Sequence, residues 1–228
     1  VFQDALAALD PVYTIGDQLV EAVQAHDNVP TRVARDMAAD LLAEVGIPNP
    51  TKRLDDYPHQ LSGGQRQRVI IATALIAEPD LIIADEPTTA LDVTVQKQVL
   101  DLLAEVSQRR GASVILVTHD MGVVAQHCDR VATFYGGLLV EAADVFNLFE
   151  TPQHPYTAAL LRSVPKLGET TPFEAIPGSP VQIQGALDRC PFAPRCQHAT
   201  ALCTRELPAE FGSPEHRHRC VRVGRGEL

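Results

Sequence analysis

Apolar positions along the chain change period from one stretch to the next. Over residues 17–26 and 31–45 they recur at three- and four-residue steps, with Val33, Met37, Leu41, Leu42 and Val45 on one stripe, which predicts two amphipathic helices, the second ended by Gly46 and Pro48. Residues 81–84 and 113–118 have no such period. Both runs are nearly all apolar, the first bracketed by Pro79 and Pro87, which predicts strands buried on both faces of a parallel sheet. Residues 93–110 between them are helical in spacing, so the segment predicts a strand, helix, strand crossover of right-handed sense. Two shorter strands, 131–134 and 138–141, flank Gly136-Gly137 at a hairpin turn. A short helix is predicted around 143–149 and another at 156–163, inside a proline-rich connector over 152–180. The fold class is α/β, with a helical subdomain over about residues 17–77, and residues 1–11 begin as though at the end of a strand.

Composition narrows the function classes. The 228 residues are 45% hydrophobic and 21% charged, ordinary for a globular chain, and carry a formal charge of −10. That balance argues against a broad nucleic-acid surface, which needs a clustered positive field. Charge is uneven, however. Residues 187–228 hold seven basic and five acidic residues and four of the five cysteines, against twelve basic and twenty-four acidic residues before them, which predicts a separate C-terminal module. No run approaches the roughly 20 apolar residues that cross a bilayer, and no secretory signal opens the chain, so a membrane role would come through a partner. A reducing compartment follows, where clustered cysteines more often bind metal than pair as disulfides.

The chemistry-bearing residues lie in one order. Ser62-Gly63-Gly64-Gln65 opens a helix whose apolar face includes Val69, Ala72, Thr73 and Ile76; a serine cap followed by glycines leaves N–H groups that can accept an anion, though capping alone would explain it. Asp85 and Glu86 end the first buried strand. One can hold Mg²⁺ through water while the other orients or deprotonates a nucleophilic water. His119 ends the neighbouring strand, where it could bond a terminal phosphate or that water, and parallel topology places all three on one edge. A phosphate-cradling G-x-x-x-x-G-K-[ST] loop occurs nowhere in the chain.

Together these residues resemble the ATP-binding subunit of ABC transporters, over roughly residues 1–141. LSGGQ is similar to the family signature, LIIADEP to the Walker B strand, Ala90-Leu91-Asp92 to the D-loop, His119 to the switch histidine and Gln3 of VFQD to the Q-loop glutamine. The resemblance implies a P-loop NTPase-like nucleotide-binding domain lacking its N-terminal part, using ATP and Mg²⁺. It implies Glu86 as general base, His119 as γ-phosphate switch, Asp85 and Gln3 in the Mg²⁺ environment, and Ser62, Gly63, Gly64 and Gln65 on a nucleotide held by a second, head-to-tail domain. Without the phosphate loop and the adenine-stacking aromatic, whether the N-terminal portion was removed or the chain is the tail of a longer frame, no independent hydrolysis is expected.

The tail narrows the subfamily. His154-Pro155-Tyr156, then 176–180, then CPFAPRCQHATALC resemble the C-terminal extension of oligopeptide and dipeptide importer ATPases, a group that includes nickel and glutathione importers. Implied are a partial cassette over 1–150 and an extension over 151–228, membrane permease subunits, an extracytoplasmic substrate-binding protein, no nucleic acid, and a place on the cytoplasmic face of the membrane. Cys190, Cys196, Cys203 and Cys220 are spaced C-x5-C-x6-C-x16-C, and four thiolates could hold zinc or a [4Fe-4S] cluster. The missing C-x2-C knuckle tilts the choice to iron and sulfur, as does the resemblance; unliganded thiols are the alternative. His198, His216 or His218 could replace a ligand, and Cys128 stands outside the set. Two rivals stay open: a soluble ABC-type ATPase acting on DNA or ribosomes, and an inactive remnant that only binds metal or docks subunits.

Overall fold

The computed structural model describes residues 1–3, 5–89, 91–164, 175–182 and 185–228, which form two compact units, Val1–His119 and Asp120–Leu228. The first contains α1 (Ala5–Ala8), α2 (Ile15–His26), α3 (Thr31–Glu44), α4 (Pro50–Arg53), α5 (Gly63–Leu75), β1 (Leu81–Asp85), α6 (Val93–Arg110) and β2 (Ser113–Val117). Helix α2 starts at a capping box, in which Thr14 Oγ1 accepts from Asp17 N at 3.1 Å and Asp17 accepts from Thr14 N at 3.2 Å. It buries Ile15, Leu19, Val20 and Val23.

Helix α3 differs from the expected stripe. Ala34, Ala38, Leu41, Leu42 and Val45 are buried, while Val33 is exposed and Met37 only partly covered. Both stripes have helical spacing; the alanines win because small side chains let a neighbouring backbone approach. Thr73 of α5 also departs from expectation, lying exposed with its hydroxyl donated to Val69 O at 3.0 Å, while Val69, Ile70, Ile71, Ala72, Leu75 and Ile76 are buried. Fully burying each such aliphatic side chain contributes about 1.5–3 kcal/mol.

Strands β1 and β2 are parallel, in register from Leu81↔Ser113 to Asp85↔Val117. Helix α6 joins them, capped by Asp92 and ended by Gly111 at φ +69°. The expectation of two-sided burial fails. Ile82 and Ala84 enter the core, but Leu81, Ile83, Ile115 and Val117 share the opposite face and are 47–55% exposed. The period of two and the common register put these four together, and that face stays open among the described residues. At one edge the backbone of Val1 pairs with β1, its amine donating to Ile83 O at 2.8 Å and its carbonyl accepting from Asp85 N at 2.9 Å.

The second unit contains α7 (Met121–His127), β3 (Arg130–Tyr135), β4 (Leu138–Asp144), α8 (Val145–Glu150), α9 (Pro155–Arg162), α10 (Ala201–Arg205), β5 (Phe211–Gly212), β6 (Arg217–His218) and α11 (Val221–Gly224). Gly136 and Gly137 turn the β3–β4 hairpin with φ of +55° and +78°, the pair of left-handed residues a type I′ turn requires. Strand β4 runs on to Asp144, so the helix predicted from residue 143 begins at Val145. The antiparallel sheet has the order β3-β4-β6-β5, its last two strands only two residues each. Tyr135, Tyr156 and Phe192 pack as tilted and edge-on rings at centroid separations of 4.6–5.2 Å in its core, which gives the His154-Pro155-Tyr156 turn a packing role.

Candidate functional site

Because Asp85 and Val117 are register partners, β1 and β2 release their next residues at the same edge. Glu86 follows with φ +42°, and its N–H donates to Val117 O at 2.9 Å, which locks the backbone of the turn. His119 Nδ1 lies 2.9 Å from Glu86 Oε1. Gln3 Nε2 donates to Oε2 at 2.9 Å and Thr89 Oγ1 donates to the same oxygen at 2.8 Å. One carboxylate therefore gathers three side chains from separate stretches of chain. The His119 hydrogen bond first, and the Thr89 hydroxyl second, hold its carboxyl below the usual carboxylate range. It is an anion at neutral pH, 25% exposed, beside an imidazole that is 74% exposed. With Nδ1 donating, the neutral ring leaves Nε2 as an acceptor. Asp85 sits on the open face by register and outside this group, while Gln3, assigned with it to the Mg²⁺ environment, contacts Glu86. The arrangement can take a proton from water, with a second carboxylate one residue away for a cation.

Ser62, Gly63, Gly64 and Gln65 form the first turn of α5. Ser62 Oγ accepts from Gln65 N at 3.3 Å and Gln65 Oε1 accepts from Ser62 N at 3.0 Å, a reciprocal capping box with Ser62 exposed. The glycines have a steric reason as well. A Cβ at Gly64 would come within 2.6 Å of Val95 Cγ1, and one at Gly63 within 3.2 Å of Leu91 Cδ2. The turn is thus seated against the start of α6. Asp92 caps that helix, Oδ1 accepting from Thr94 N at 3.1 Å and Val95 N at 3.0 Å; Ala90, assigned with it to the D-loop, lies outside the described residues.

In the second unit Cys190, Cys196, Cys203 and Cys220 line one cavity of about 20 Å³, together with His154, His198, Arg219 and Arg222. That volume holds one water-sized occupant. Burial pushes the Cys190 thiol up to about 11 and raises Cys196 and Cys220 as well. Among the described residues no three His, Cys, Asp or Glu converge as a single metal ion requires. Arg219 Nε, however, is buried without a hydrogen-bond partner, a donor suited to an anionic occupant. Of the three histidines offered as substitute ligands only His198 lines the cavity. His216 Nε2 instead lies 2.8 Å from Glu141 Oε1.

Glu141 carries no sequence motif. Its side chain is fully buried and also accepts from Gln153 N at 2.6 Å and His154 N at 2.9 Å, so it fixes the His154-Pro155-Tyr156 turn. An acid inside the apolar run of β4 was its one signal. His154, read only as a rigid helix start, is buried, accepts from Tyr156 N on Nδ1 at 3.1 Å, and is lowered to about 4 by that burial.

Two family models match parts of the chain. The family model for ABC transporters matches residues 1–89, and that for the oligopeptide/dipeptide transporter C-terminal region matches residues 140–203. The chain is 48% identical to the dipeptide transport ATP-binding protein DppD of Bacillus subtilis, over 96% of its own length and 66% of that protein. It is 47% identical to the oligopeptide transport ATP-binding protein OppD of Mycobacterium tuberculosis, over 98% of its length and 37% of that protein. A putative peptide import ATP-binding protein of Brucella melitensis is 45% identical, with 97% and 68% covered. The dimeric ATP-binding cassette MJ0796 bound to ADP and Pi superposes with a TM-score of 0.55 at 29% identity, over 64% of this chain and 61% of that one. For cbiO1 of Clostridium perfringens, part of the ABC transporter complex cbiONQ, the TM-score is 0.58 at 29% identity, over 67% and 59%. The fold is that of an ABC ATPase cassette. The chain belongs to the family of oligopeptide/dipeptide ABC transporter ATP-binding subunits, and it spans two thirds or less of DppD and OppD.

Proposed function

We propose that this chain is part of the ATP-hydrolysing subunit of an importer that moves peptides across the cytoplasmic membrane, with residues 1–150 as cassette and 151–228 as extension. The observation that carries the reading is Glu86, an ionised carboxylate at a strand end with an imidazole 2.9 Å away. In this role it accepts a proton from the water that bonds to the terminal phosphorus of ATP as the bond to ADP breaks. His119 contacts the γ-phosphate. Asp85 and Gln3 hold Mg²⁺, which when bound neutralises phosphate charge. Ser62, Gly63, Gly64 and Gln65, with Asp92 behind them, meet a nucleotide on a second cassette; the dimeric state of MJ0796 supports such pairing.

Permease subunits supply the membrane path, since no helix among the described residues is long and apolar enough to cross one. The chain then works as a peripheral subunit on the cytoplasmic face, with cargo delivered by an extracytoplasmic binding protein. At Cys190, Cys196, Cys203 and Cys220 we place a [4Fe-4S] cluster, for which the cavity of about 20 Å³ would have to widen. Its thiolates sit on separate irons and need not converge, unlike the ligands of a zinc ion, and the unpartnered Arg219 Nε supports an anionic occupant.

The test is turnover in liposomes that hold permeases and a pair of cassettes in which the chain bearing Glu86 is joined to a phosphate loop. Glu86→Gln should lower ATP hydrolysis by about a hundredfold or more while nucleotide still binds. The 228-residue chain alone should not hydrolyse ATP. Wild-type turnover by the Gln variant removes the reading.

A further inference from the structure

The turn after β1 closes on its own acid. Thr89 N and Thr89 Oγ1 both reach Glu86 O at 3.3 Å, the ordinary local bonds of a hydroxyl residue in a turn. The shorter bond is different in kind: at 2.8 Å the same hydroxyl donates to Oε2 of the carboxylate, a charge-assisted bond to the atom that Gln3 also holds. His119 occupies the other oxygen. The two carboxylate oxygens are thereby made unequal. Oε2 is pinned by Gln3 and Thr89, and Oε1 meets the imidazole.

Gln3 and His119 reach Glu86 from distant points in the chain, so their bonds depend on how those segments sit. Thr89 shares a single turn with Glu86, whose N–H is fastened to Val117 O at 2.9 Å. Its hold on the acid is therefore independent of the other two. The residues that follow it, Leu91 and Val95, are those against which Gly63 and Gly64 are seated. We infer that Thr89 is a positioning residue that fixes the Glu86 carboxylate through Oε2, so that Oε1 is the oxygen presented to water. The inference rests on Glu86 acting as the base.

Two variants separate this from simple turn stability: Thr89→Val keeps the β-branch and removes the hydroxyl, and Thr89→Ser keeps the hydroxyl. In crystals of the 228-residue chain, Thr89→Ser should keep the Glu86 carboxylate oriented as in wild type, and Thr89→Val should release Oε2 and turn the carboxylate, while all three proteins keep the same circular dichroism. An unmoved carboxylate in Thr89→Val overturns the inference. In the assembled ATPase, Thr89→Val should lower kcat about tenfold at unchanged KM for ATP, with recovery in Thr89→Ser. If Glu86→Gln abolishes turnover and Thr89→Val leaves it intact, Thr89 has no positioning role and the function stands. If Glu86→Gln is itself without effect, the function falls, and the orientation of the carboxylate in Thr89→Val still decides whether Thr89 holds it.

Discussion

The Glu86 carboxylate stands partly exposed at the end of β1 with three donors around it, and the Cys190 thiol is buried on a cavity wall. Donors draw the first toward its charged form, while loss of water pushes the second toward its neutral form, up to about 11. The contrast teaches what each site requires from outside. The acid is prepared by its own chain. The thiols can become ligands only if an occupant returns the electrostatic stabilisation that burial removed.

Glu141 shows that burial alone does not decide the matter, because it is as enclosed as Cys190 and carries its own donors. Glu141→Ala strands the His154 and Gln153 N–H groups and His216, and should cost about 3–5 kcal/mol in urea unfolding of residues 120–228. Loss of less than about 1 kcal/mol would erase the distinction. Next come two pH limbs. His154 is neutral in the fold down to about 4 against an ordinary 6.5, so the unfolded chain takes up its proton first. Stability is complete above pH 6.5 and should fall, by on the order of 3 kcal/mol, as pH drops from 6.5 to about 4, with the fall absent in His154→Gln. Cys190 has the opposite sign. Its protonated form is favoured by the fold, so stability is complete below pH 9 and declines as pH rises from 9.0 to about 11.

Anaerobic loading with iron and sulfide tests the cavity itself. A centre at a hundredfold excess over its Kd should add about 2.7 kcal/mol to the second unit, abolish the alkaline limb, and give broad charge-transfer absorbance that Cys203→Ser lacks. Loading without stabilisation would mean the thiols are not its ligands. The smallest effect belongs to Asp92→Ala, which should cost about 1 kcal/mol through lost capping of α6 and leave the orientation of the Glu86 carboxylate unchanged.

Much of this was legible in the chain. Period and punctuation located α2, α3, α6, β1, β2 and the Gly136-Gly137 hairpin, because each obeys a local rule. What escaped depends on distant partners. Periodicity could not choose Ala34 over Val33, since the choice is made by how closely a neighbouring helix approaches. An all-apolar strand announces that both faces can be buried, yet Ile83 and Val117 lie open among the described residues. The pair Glu86 and His119 follows from parallel strand ends, whereas Thr89 on Oε2 required the turn's geometry. Glu141 and His216 lie 75 residues apart, and no spacing rule connects them.

The left-handed backbone of Glu86 has a consequence for how inactive forms of this chain are chosen. Glycine would occupy φ +42° with ease, whereas a β-branched side chain would be opposed there. Glu86→Gly should therefore leave the torsion unopposed while removing the acid and its bonds to Gln3, Thr89 and His119, and Glu86→Val should strain the turn as well. The inactive form of choice is the one that leaves that single torsion angle at rest.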